Sequence, residues 1–199
     1  KTCRENRRRT LRLRRQELSH PLPSDAGEFF ADFHGKFSKI QKEHAVSVIE
    51  ENADQPDDLD MLQGQASKGI REYIIKKNPY EFQDLVAALL RAMGYYTPFI
   101  APKGKDGGVD IIAYRDPLGT TAPQLKVQVK HYPTSAISID VVRSLLGVLV
   151  KEGEVGLLVT SGTFTSESKK EARNGHRCLR LIDIDEFIDL WIRYYDRMS

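Results

Sequence analysis

Cysteine is almost missing from this sequence: Cys3 and Cys178 are the two in 199 residues. That number and separation exclude a disulfide framework and a thiolate zinc site, and they point to a reducing, cytoplasmic setting. Long apolar runs are missing as well. Nothing approaches the eighteen or so consecutive apolar residues of a membrane-spanning helix, and no signal peptide is legible. Internal repeats are also absent. What remains is a soluble-type composition, 40% hydrophobic and 29% charged, in a chain long enough to bury a core.

A surplus of one charge sign is lacking overall, since the formal net charge is +2. That balance conceals an asymmetry. KTCRENRRRTLRLRR (1–15) carries eight of the 30 basic residues and one of the 28 acidic ones, which leaves the rest of the chain at about −5. A basic arm over 1–20 on a mildly acidic body suits phosphates or an anionic membrane surface, or simply a solvated terminus. It also leaves room for a membrane tether upstream of Lys1.

The pattern along the chain divides it in three. After the arm and PLPSD (21–25), residues 21–75 read as a helical N-terminal region, with Phe30, Phe33, Phe37 and Ile40 at helical spacing. His34 and His44 are too far apart to share a metal from one helix face. Residues 76–199 read as a further domain. Asn78-Pro79 opens a helix with Glu81 at the capping-box position, Phe82, Leu85, Val86, Leu89, Leu90 and Met93 form its apolar stripe, and Gly94 ends it. Strands are expected over 96–101, 109–114 and 124–131, with a type I turn at Asp116, Pro117 and Gly119 between the last two. A helix from Asp140 as N-cap, a doubly covered strand over 155–160, a helix over 165–173, a strand near 178–183 and a helix over 184–197 follow. The implied fold is α/β, a mixed central sheet flanked by helices.

One strand carries an anomaly. In QLKVQVK the residues Gln128 and Lys130 project from the same face, since alternate strand residues share a side, while Val127 and Val129 take the other. If the preceding strand pairs antiparallel, Asp110 comes near them. A carboxylate and an amide oxygen suit a hard divalent cation, and an adjacent ammonium suits a phosphate, which is equipment for hydrolysing a phosphodiester. On spacing alone, a solvated edge strand remains an open alternative.

The wider stretch resolves the choice by resemblance. NPYEFQDLVAALLRAMGY, KDGGVDIIAY, QVKHY, the helix with SLLGVL, and GLLVTSGTF resemble, in order, the Mrr-like restriction endonuclease catalytic domain of the PD-(D/E)xK nuclease superfamily. The likeness spans about residues 76–192. It implies a restriction-endonuclease-like αβββαβ core and a Mg²⁺-dependent DNA endonuclease, with Mn²⁺ as a possible substitute. It places Asp110 and Gln128 as metal ligands, Lys130 as the catalytic lysine, and Gln83 where the family usually has a helix glutamate. Val109 replaces the proline of the superfamily motif, a common form in this branch. Glu81 and Asp84 are the neighbouring carboxylates that could stand in for that glutamate.

Lys105, Lys126 and His131 are candidate DNA-phosphate contacts, and Asp106 is either a water-mediated ligand or turn chemistry. Thr160, Ser161 and Thr163 follow an apolar strand and precede a helix, where they either expose amides to an anion or cap that helix. The resemblance further implies defence against foreign or modified DNA and a homodimer, and since residues 1–75 show no winged helix, specificity is expected in a specificity domain or partner protein outside this chain or in the helical region. A non-catalytic binding module on the same fold and a junction-resolving or repair nuclease remain as alternatives.

Overall fold

The computed structural model describes residues 57–104 and 108–198, with side chains from residue 64 onward. The basic arm, the phenylalanine-striped segment, Lys105 and Asp106 lie outside the described residues. Helix α1 (Asp57–Ile75) leads into α2 (Pro79–Ala92), and strands β1 (Tyr96–Ile100), β2 (Ile111–Tyr114) and β3 (Gln124–Lys130) follow. A short strand β4 (Ala136–Ile137), helix α3 (Ile139–Val148), β5 (Glu154–Thr160) and a short β6 (Thr163–Phe164) come next. Helix α4 (Ser166–Asn174), β7 (Leu179–Ile182), α5 (Ile184–Tyr194) and one 3₁₀ turn close the chain.

The five-stranded sheet has the order β1-β2-β3-β5-β7. Its first two pairings are antiparallel and its last two parallel, so the sheet is mixed as expected. Alternation on β3 and β5 sorts the faces. Leu125, Val127, Leu157 and Val159 join α1, α2 and α5 in the main core, which includes Phe82, Phe187 and Trp191. Leu158 faces the other way, with Val142 and Leu145 of α3 and Phe164 of β6. On that second face Gly156 leaves no space for a side chain. A Cβ there would lie 2.7 Å from a Leu179 methyl and 3.0 Å from one of Leu149.

Local chemistry accounts for the element ends. The Asn78 side chain accepts from the backbone amides of Tyr80 and Glu81, while Glu81 accepts from the Asn78 amide at 2.7 Å, a complete capping box. Gly94 at φ +93° lets the chain leave α2 in the left-handed region. In the β2–β3 turn the Gly119 amide donates to the Asp116 carbonyl, and the Asp116 carboxylate accepts from the amides of Leu118, Thr120 and Thr121. Those bonds, that from Thr121 foremost, hold its pKa at about 2.

Some expectations shift. Ser138, not Asp140, is the N-cap of α3, and Asp140 sits in the first turn, where its charge still complements the helix dipole. Thr165, rather than Thr160, Ser161 or Thr163, caps α4 through the Ser168 amide. Strands β4 and β6 were not foreseen, because two-residue strands have no period to read. The last helix ends at Tyr194 instead of 197. The 75/76 boundary is not a boundary of packing, since Ile70 and Ile74 of α1 are fully buried in the main core.

Candidate active site

Asp110 immediately precedes β2, and β2 pairs with β3 through Ile111↔Val127 and Ile112↔Lys126. Extending that register by one pair sets Asp110 beside Gln128. Two bonds fix the residue there. Its backbone amide donates to the Val127 carbonyl at 2.8 Å, and its carboxylate Oδ2 accepts from the Val129 amide at 2.7 Å. An antiparallel pair and one side-chain anchor therefore bring together residues eighteen apart in sequence.

Gln128 is 6% exposed, and its amide oxygen Oε1 is buried with no hydrogen-bond partner. A buried acceptor left without a donor costs about 1–3 kcal/mol. Lys130 ends β3 on the same face, in register with Thr160 of β5, and its carbonyl accepts from the Ser161 amide at 3.1 Å.

Gln83 approaches from α2. It is buried, and its Nε2 donates to the Ala101 carbonyl at 3.0 Å. The Ala101 amide in turn donates to the Asp110 carbonyl at 2.7 Å. Gln83 thus connects to Asp110 through one residue's backbone. That link had no sequence signal, because the bridging group is a backbone carbonyl. Glu81 is committed to the capping box. Asp84, on α2, lends its charge to Arg91, whose guanidinium pKa burial pulls down.

The remaining candidates separate. Lys126 shares the face of Gln128 but sits four residues before Lys130. Its ammonium is bonded to Glu154 at 2.9 Å and to the Val148 carbonyl at 2.7 Å. His131 turns the opposite way, onto Phe82, with ring centroids 5.3 Å apart. Thr160 is fully buried and accepts from the Gly162 amide. Ser161 is 1% exposed, with its hydroxyl unpartnered. Among the described residues no three His, Cys, Asp or Glu side chains gather as a metal-binding cluster. The donors at hand are instead one carboxylate and one amide oxygen, both hard ligands suited to Mg²⁺.

A mixed sheet in αβββαβ order, with an acid before β2 and an amide and lysine on β3, is the framework of restriction-endonuclease-like nucleases. Two solved structures share the fold. One is the MspJI restriction endonuclease in complex with a 27-mer oligonucleotide (TM-score 0.52, 21% identity, 75% of this chain and 36% of that one). The other is the DNA modification-dependent restriction endonuclease AspBHI (TM-score 0.54, 20% identity, 67% of this chain and 36% of that one). The match therefore spans about a third of the length of each. No curated protein matches the chain in sequence.

Residues 74–191 match the restriction endonuclease family defined by the Mrr-type catalytic domain, and the chain belongs to that family. Membership places the domain among nucleases that hydrolyse DNA. No helix of the described residues is long and apolar enough to cross a membrane.

Proposed function

We propose that this domain is a divalent-cation-dependent endonuclease that hydrolyses phosphodiester bonds of duplex DNA, serving in defence against foreign or modified DNA. The buried, unpartnered amide oxygen of Gln128 beside the anchored carboxylate of Asp110 carries this reading. That oxygen fits a hard cation, which would satisfy it where no protein donor does. Asp110 and Gln128 are the residues to hold Mg²⁺, or Mn²⁺ in its place. When bound, such an ion supplies a Lewis acid beside the scissile phosphate.

The chain's own groups do the rest. The Val129 amide fixes the direction of the Asp110 carboxylate, so it needs no reorganisation during the reaction. Lys130 offsets the charge that develops on the phosphate and orients the attacking water. Gln83 acts through Ala101 by setting the backbone of Asp110. Lys126, bound to Glu154, serves the fold rather than DNA. AspBHI is described as modification-dependent, which supports testing modified DNA here. Target reading falls to sequence outside the 74–191 match or to a partner, and a homodimer supplies the second cut.

The test is cleavage of methylated and unmethylated plasmid with Mg²⁺ or Mn²⁺ by the native chain, Asp110→Asn and Lys130→Ala. Metal-dependent cutting that falls by at least about 100-fold in both variants is the expected result. Equal cutting by Lys130→Ala would remove the chemistry from β3.

A further inference from the structure

His131 and Ser161 stand one residue past Lys130 and Thr160, which are partners in the parallel β3–β5 ladder. They are therefore neighbours across it. Both lie one residue beyond their strands, at positions that continue the alternation of Val129 and Val159, opposite Lys130. His131 proves the direction by packing on Phe82 of α2.

Each carries an unmet hydrogen-bonding group. The Ser161 hydroxyl and the His131 Nδ1 are both buried without a partner. Burial holds the imidazole pKa below its ordinary value, against the pull of the Lys77 and Ile75 peptide carbonyls and the Glu81 charge. A neutral imidazole has one donor and one acceptor nitrogen. With the hydrogen on Nε2, the buried Nδ1 is an acceptor that no group of the protein meets. Across the ladder, Ser161 offers a hydroxyl donor with nothing to receive it. Buried polar groups are nearly always paired.

We infer that Ser161 donates to His131 Nδ1 through one buried water, and that this pair positions Lys130. The Ser161 amide already holds the Lys130 carbonyl. Joining its side chain to His131 fastens both sides of the same peptide, and Phe82 ties that unit to α2. Because the Lys130 side chain leaves from the other face, any roll of the strand end moves its ammonium across the site. This role rests on the function proposed for Lys130, whereas the bond itself does not.

Long-range ¹H–¹⁵N NMR of the native protein tests the pair without any nuclease assay. The Nε2–H tautomer is expected, with an Nδ1 resonance shifted as for a hydrogen-bonded acceptor and displaced by Ser161→Ala. An Nδ1–H tautomer, or no displacement, overturns the pair. In cleavage, Ser161→Ala lowers kcat about 10-fold with KM for DNA unchanged, and Ser161→Thr, which keeps the hydroxyl, retains kcat. His131→Phe preserves the ring packing and shows the same loss, and the double variant loses no more than either single one. Multiplied losses, or a change confined to KM, overturn the positioning role. A native chain inert on every DNA overturns the nuclease reading, while the NMR result still decides the pair.

Discussion

Replacing Gln83 by glutamate swaps one buried NH₂ donor for an oxygen. The resemblance led to an expectation of glutamate at this position, so the change offers a sharp contrast between two roles. The Gln83 Nε2 donates to the Ala101 carbonyl at 3.0 Å, and the Ala101 amide donates to the Asp110 carbonyl. An ionised carboxylate in place of that amide cannot donate. It would set an oxygen against a carbonyl in a site where Gln83 is 8% exposed. Removing a buried acceptor's donor costs about 1–3 kcal/mol, and more when a charge is left there. At about 2–4 °C per kcal/mol for a chain of this size, the Tm of Gln83→Glu measured in EDTA falls by about 2–12 °C at pH 8.

The pH dependence follows from the same bond. Burial raises the folded pKa of the introduced carboxyl above its unfolded value of about 4.3, so the folded variant binds the extra proton between the two. In its protonated form the carboxyl donates again to Ala101. The penalty is therefore absent at low pH and grows as pH rises through the folded pKa. Cleavage falls as well, because Asp110 loses its support. Unchanged Tm in EDTA, together with tighter Mg²⁺ binding and faster cleavage, would refute this reasoning and make position 83 a metal ligand.

Further outcomes follow from single contacts. Lys126→Met leaves Glu154, whose side chain is 5% exposed, without its ammonium partner, and lowers stability by about 1–3 kcal/mol in urea unfolding while DNA affinity stays the same. His131 has a lowered folded pKa, so the unfolded chain takes up the proton first as pH drops below about 6.5. Stability then falls from pH 7 to 5, and His131→Phe flattens that limb in a series of thermal melts. Gly162→Ala places a Cβ onto the carbonyl oxygens of Tyr132 and Ser135, backbone atoms with little room to yield, and costs at least about 1–3 kcal/mol. Since Ser161 precedes it, cleavage by this variant falls further than its stability alone accounts for.

Sequence by itself determined the elements whose cause is local. Asn78, Pro79 and Glu81 specify the start of α2 because a cap is made within one turn, and the capping box is present as read. The β2–β3 turn is legible because Asp116 binds amides at most five residues away. Alternation in QLKVQVK settled which residues share a face, and so put Gln128 and Lys130 on one side of the strand.

Tertiary structure decided what depends on partners far along the chain. Ala101 joins Gln83 to Asp110 with a carbonyl that every residue possesses, so no side-chain pattern announces it. Lys126 and Lys130 look alike in sequence, yet the fold brings Glu154 and the Val148 carbonyl to the first and leaves the second at the end of β3, in register with Thr160. His131 read as a phosphate contact until strand alternation and Phe82 carried it to the opposite layer. Periodicity records which way a side chain points, whereas only the packing of distant segments settles what it meets there.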